Sequence, residues 1–191
     1  MSSYKTFHIP LSQGDITLKD ALAQMKASSN APGEIPWIVR LVENPSLDFP
    51  GIRVFHGAVD LYTHDCIHLI LGRGMLPEDE AFVIGFTMGS TNLISKFERF
   101  LYLFVTENLY PKAFRFNHEE HMVLDIGFHV GHVSTCQPLD TVDFKNMESL
   151  TLSEIRSKIG LEEGVLQHAY LLESEMFPDS VASSRVAPKH S

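Results

Sequence analysis

The sequence predicts an all-α fold: a single-domain helical bundle in which an antiparallel helix hairpin carries a metal-binding motif. Three observations predict it. Apolar residues recur at helical spacing along most of the 191 residues, and alternating strand patterns are scarce. Helix start and stop signals punctuate those stretches. A composition of 44% hydrophobic and 20% charged residues suits a chain that buries a core.

Taken in order, Thr17 with Asp20 three residues on marks the start of a short amphipathic helix over about 17–27. Residues 30–33 break the chain. Pro36 then suits the first turn of a helix carrying Trp37, Ile38, Leu41 and Val42, which Asn44-Pro45 ends. Residues 46–51 read as a loop. A longer helix is expected over about 58–71, with Gly72 as its stop. After a tight connection at 73–76, Pro77 followed by Glu78, Asp79 and Glu80 signals a new helix, with acids beside the positive end of its dipole. That helix carries Phe82, Gly85, Phe86 and Gly89, and the Gly85-xxx-Gly89 spacing allows close approach of another helix.

Phe97, Phe100, Leu101 and Phe104 form a further apolar stripe, and Tyr110-Pro111 is a break. Asn117 caps a helix to about His132, although Val123, Ile126, Phe128 and Val130 would also suit a strand. A loop follows to about Thr151. Ser153 is read as the cap of a short helix ending at Gly160, and 165–177 supplies the last helix. Residues 1–177 are thus read as a single helical domain. The small, polar, Pro-containing residues 178–191 are read as a flexible C-terminal tail.

Net charge is −9 and the isoelectric point about 5.5. No Lys/Arg cluster has the density that a phosphate backbone needs, which argues against nucleic acid. The acidic balance disfavours a broad electrostatic grip on anionic lipid but leaves peripheral apolar contact with a membrane open. Cys66 and Cys136 form no zinc-type pattern and read as buried thiols in a reducing compartment. Residues 1–10 lack the features of a signal or transit peptide, and no apolar run approaches the ~20 residues of a spanning helix. A soluble, cytoplasmic protein is expected, with homodimer formation open.

Six of the ten histidines lie between His64 and His132. His64 and His68, four apart, share one helix face with Cβ atoms roughly 5–6 Å apart, and can share one divalent ion. Asp65 lies at the edge of that face, where it can bind the ion or orient a ligand from behind. Glu80 stands in the first turn of the next helix and His68 one turn before Gly72. An antiparallel hairpin brings the two face to face, so the carboxylate closes the site. Two imidazoles with one or two carboxylates suit zinc, manganese or non-haem iron(II). No catalytic residue is singled out.

His118, His121, Asp125, His129 and His132 make a second polar stripe, within an arc of roughly 80° on a helix. It is read as an exposed face, as groups that support the metal cavity or relay protons, or as a second metal site.

The pattern His64-Asp65-x-x-His68, eleven residues, then Glu80 resembles the signature of the fourth coenzyme Q (ubiquinone) biosynthesis protein, the Coq-four family. Leu69-Ile70-Leu71-Gly72 is similar to that family's segment after the second His, and the match covers about 61–86. The resemblance implies a helical fold, one divalent metal at His64, Asp65, His68 and Glu80, and an apolar groove for an isoprenoid chain. It also implies either oxidative decarboxylation and hydroxylation of a prenylated aromatic quinone precursor or scaffolding of other biosynthetic proteins. Three functions are weighed accordingly. The first is a metal-dependent enzyme on such a precursor. The second is a non-catalytic isoprenoid- or lipid-binding scaffold with a structural metal, its groove lined by Phe82, Phe86, Phe97, Phe100 and Phe104. The third is a His-Asp metal phosphohydrolase, with His56 and Asp125 as its added ligands.

Overall fold

A computed structural model of the protein describes residues 6–29, 60–91 and 117–188. The expected features at 30–59 and 92–116, among them the Pro36 helix, His56 and the stripe from Phe97 to Phe104, lie outside them. The described residues are all-α. Their only β pairing is an isolated bridge between Thr17 and Thr151.

Helix α1 spans Leu18–Ser29. Thr17 starts it as expected: its Oγ1 accepts the Asp20 N–H at 3.2 Å and donates to the Asp20 carboxylate at 2.7 Å. Helix α2 spans Leu61–Leu71, three residues shorter than expected. Its start is fixed by Asp60, whose carboxylate accepts the Thr63 N–H at 2.9 Å and satisfies one of the first-turn donors. Gly72 ends it with φ 66°, the left-handed conformation that glycine adopts without a Cβ clash. The Gly72 and Arg73 N–H groups turn back onto Leu69 and His68 carbonyls at 3.2 and 2.9 Å.

Residues 72–76 lead into α3, Pro77–Ser90. Asp79 Oδ2 accepts the Leu76 N–H at 2.9 Å and caps the helix start. Helix α4 is His118–Val133, so the strand-compatible residues within it are helical. Asn117 and Glu120 form a reciprocal capping box, at 3.0 and 2.6 Å.

Helices α3 and α4 pack backbone to backbone. A Cβ on Gly85 would fall on the Leu124 carbonyl, and one on Gly89 on the Phe128 carbonyl. From the other side, Cβ atoms on Gly127 and Gly131 would fall on the carbonyls of Phe82 and Phe86. Both pairs advance together along the chain, so the helices run in the same direction. The Gly85-xxx-Gly89 signal thus has its counterpart in Gly127-xxx-Gly131, which was not singled out from sequence.

Two 3-10 turns, Leu139–Thr141 and Phe144–Met147, occupy the expected loop. Helix α5, Leu152–Ile159, is capped by Thr151 and not by Ser153. Thr151 wins because Glu154, three residues on, reaches back to its N–H at 2.8 Å while Thr151 Oγ1 accepts the Glu154 N–H at 3.2 Å. Helix α6 is Glu163–Met176.

The expected flexible tail requires correction: Val181–Val186 forms helix α7. Ser180 caps it, and Ala182 and Ser183 are fully buried. Ser183 Oγ donates to Glu173 at 2.9 Å, and Arg185 pairs with Asp79. These partners are distant in sequence, which is why composition alone misreads the segment. No helix among the described residues is long and apolar enough to cross a membrane.

Candidate metal centre

His64 and His68 stand on one face of α2, and Glu80 is at the start of α3. All three are buried, His64 at 6% exposure and the other two at 0%. Glu80 Oε2 lies 3.2 Å from His68 Nε2 and 3.3 Å from His64 Nε2. The two imidazole rings are 4.6 Å apart, edge to face. An ion about 2.0–2.1 Å from each ligand in a tetrahedral arrangement sets ligand atoms about 3.3 Å apart. Each imidazole nitrogen thus stands from the carboxylate at about that spacing, and the three side chains lie close enough to hold a metal ion.

Hydrogen bonding supports the same assignment. His68 Nδ1–H donates to the Gly74 carbonyl at 2.7 Å. That bond fixes the ring's orientation and directs Nε2 at Glu80, the arrangement by which proteins orient metal-binding imidazoles. Neither His64 ring nitrogen has a hydrogen-bond partner, although Nε2 is near Glu80 Oε2, and Glu80 Oε1 also has none. A buried polar atom left unpaired costs about 1–3 kcal/mol. A cation at the point that the three side chains face would take the lone pair of His64 Nε2 and pair the Glu80 carboxylate.

Without an ion a proton serves. Burial disfavours the charged His68 ring, but the Glu80 carboxylate outweighs it and raises its pKa. Burial likewise opposes ionisation of Glu80, yet His68 and then His64 prevail and bring its carboxyl down to about 2.

The adjacent acids divide their work. Asp79 caps α3 and faces Arg185 and Arg73, the latter at 3.8 Å, whereas Glu80 faces the imidazoles. Sequence reasoning read both with Glu78 as complements of the helix dipole and did not foresee the role of Asp79.

Asp65, the fourth sequence-predicted ligand, is half-buried and stands outside the three-ligand group. One residue after His64, it is rotated by roughly 100° from it about the helix axis. It remains within electrostatic reach: burial raises its pKa, and His64 and His68 oppose that rise.

The polar stripe lies on α4. His118, His129 and His132 are exposed there, and His121 and Asp125 are half-buried. His132 stacks on Phe128 at 6.2 Å between ring centroids. Among the described residues no three of these side chains converge as metal ligands. Cys66 and Cys136 are buried and unpaired with each other, and burial pushes the Cys66 thiol up to about 12. Phe82 and Phe86 are core residues, with Phe82 against Arg73 and Tyr170.

The turn carrying the site is tied to the rest of the molecule by buried charge. Arg73 donates to Glu173 of α6 at 2.6 Å, its guanidinium lying 4.2 Å from the Phe82 ring centre and 4.8 Å from that of Tyr170. Tyr170 donates to the Leu71 carbonyl at 2.5 Å, and Arg156 to the Ile70 carbonyl at 2.8 Å. The C-terminal carbonyls of α2 are thus satisfied by side chains from α5 and α6.

No protein-family model matches the chain, and neither a curated protein nor a solved structure does so.

Proposed function

We propose that the protein binds one divalent metal through His64, His68 and Glu80 and uses it on a prenylated aromatic quinone precursor. The observation that carries this reading is the buried convergence of two imidazole nitrogens on one carboxylate oxygen. Two histidines and a carboxylate with open positions form the ligand set of non-haem iron(II) oxygenases, and zinc and manganese also accept it. Three protein ligands leave room for substrate or oxygen, as catalytic sites do and closed structural sites do not.

The reaction rests on the likeness of the His64 to Glu80 motif to the Coq-four signature. In it a ring carboxyl leaves as carbon dioxide and a hydroxyl replaces it. Dioxygen supplies the hydroxyl oxygen, and a two-electron donor reduces the second oxygen atom to water. A bound metal would stabilise charge as the carboxylate leaves, and the redox step favours iron or manganese over zinc.

A scaffold reading has its own support. Complete burial of His68 and Glu80 across the α2–α3 turn is what a structural ion that fixes two helices requires. In the phosphohydrolase reading one required ligand, His56, lies outside the described residues.

The test has two stages. Metal content is measured on wild type, His64→Ala and Glu80→Ala, each loaded with zinc, iron(II) and manganese; about one ion is expected in wild type and loss in both variants. Iron- or manganese-loaded protein is then given a prenylated hydroxybenzoate labelled in its carboxyl carbon, with oxygen and reductant. Release of labelled carbon dioxide supports the enzyme. Tight metal without release favours the scaffold, and metal-free wild type sinks both.

A further inference from the structure

We infer that Arg185, on the C-terminal helix α7, is a positioning residue for the metal site: it braces the Gly74 peptide that holds the His68 ring. This rests on the metal reading of His64, His68 and Glu80.

The geometry forms a short chain of contacts. On the side of the ring away from Glu80, His68 is oriented by the hydrogen bond from Nδ1–H to the Gly74 carbonyl at 2.7 Å. Gly74 lies in the turn between the two ligand-bearing helices, where a free peptide could rotate its carbonyl away. The Arg185 guanidinium covers that peptide: a Cβ on Gly74 would fall on Arg185 Nη2 and Cζ, and on the Phe7 carbonyl. Arg185 also pairs with Asp79, whose carboxylate holds the Leu76 N–H. One side chain therefore spans the turn from Gly74 to Asp79, the residue before the third ligand. Its own helix is anchored by the Ser183 hydroxyl on Glu173, which in turn holds Arg73 of the same turn.

The guanidinium packs against Gly74 while its Nη2 reaches the Asp79 carboxylate, a combination that an ammonium point charge does not reproduce. Groups that orient a metal-binding histidine from behind typically change metal affinity by about 10–100-fold when removed.

The test compares full-length wild type, Arg185→Ala, Arg185→Lys and Ser183→Ala. Zinc affinity is read by chelator competition, geometry from the visible spectrum of the cobalt(II)-loaded protein, and folding by thermal melting. All are measured at a temperature where each variant is fully folded. Arg185→Ala should weaken zinc binding by about 10-fold or more and alter the cobalt spectrum. Arg185→Lys keeps the charge and should fall between Arg185→Ala and wild type; it carries the test if Arg185→Ala does not fold. Ser183→Ala loosens the anchor of the same helix and keeps the guanidinium, so it should lower the melting temperature and weaken zinc binding by less than Arg185→Ala. Unchanged zinc affinity and spectrum in both Arg185 variants overturn the proposal. So does a loss of affinity that follows melting temperature alike in all three variants. A wild type that binds neither zinc nor cobalt removes the metal reading itself and the proposal with it. Wild type that binds while the Arg185 variants bind equally well removes only the positioning role.

Discussion

At the scale of single residues, protons and the proposed metal would compete for the same lone pairs. The sign of the pH dependence follows from the two shifted groups. Glu80 is held far below its ordinary value of 4.5, so in metal-free protein its stabilisation is complete above that value and fades as pH falls towards about 2. His68 is shifted upward from 6.5, so its stabilisation is complete below 6.5 and is lost as pH rises through the folded value. Stability from this pair alone is therefore greatest between 4.5 and 6.5. A divalent ion must displace the His68 proton, and its advantage grows as that proton becomes easier to remove. The rise in melting temperature on adding zinc should increase steadily from about pH 5.5 to about pH 8. A zinc effect that is flat over that range, or largest at its acid end, would show that the ion binds elsewhere. Glu80→Gln should abolish the zinc effect at every pH, because the amide keeps the shape and removes the charge.

At the scale of elements, the most extensive contact among the described helices is the one between α3 and α4. The colliding atoms opposite Gly85 and Gly127 are backbone carbonyls, which cannot turn aside as a flexible side chain could. Gly85→Ala or Gly127→Ala should force the helices apart and destabilise the fold by about 1–3 kcal/mol, measured by denaturant unfolding. Gly164, in the first turn of α6, has open space around its Cβ position, so Gly164→Ala should be neutral or stabilising by up to about 1 kcal/mol. Equal losses at Gly85 and Gly164 would contradict the packing. Much of this scale was legible in the sequence. The Pro77 start, the Gly72 stop and the Asn117 cap are local signals, and each acts within one turn of chain. The meeting of His68 with Glu80 was legible for the same reason, since only residues 72–76 separate the two helices. What was not legible depends on distant partners. Nothing near Gly127 announces that Phe82 lies against it, and nothing near Val181 announces Glu173 or Asp79. Asp65 was read from sequence at the edge of the His64–His68 face, as ligand or orienter; it stands beside the group of three, half-buried and within electrostatic reach of both imidazoles.

At the scale of the whole molecule, an internal charge network ties the turn between α2 and α3 to the C-terminal helices. Arg73 and Glu173 are both fully buried and 2.6 Å apart, with Asp79 and Arg185 completing a set of two positive and two negative groups. Such a set gives little net stability over a well-packed apolar replacement, because desolvation of the charges offsets their attraction. Removal of a single member is different, since it leaves an opposite charge stranded in the interior. Arg73→Met or Glu173→Met alone should therefore cost about 3–5 kcal/mol in denaturant unfolding. The double variant strands neither partner, and methionine fills the space between Phe82 and Tyr170 where the guanidinium lay. Its loss should be smaller than the sum of the single losses by about 2 kcal/mol or more. Strict additivity would mean that the two charges are stabilised independently. If the pair serves chiefly to hold the turn in register, the double variant should recover stability yet bind zinc more weakly than wild type, because a pair of methionine side chains replaces a directed contact between the turn and α6 with one that can slide.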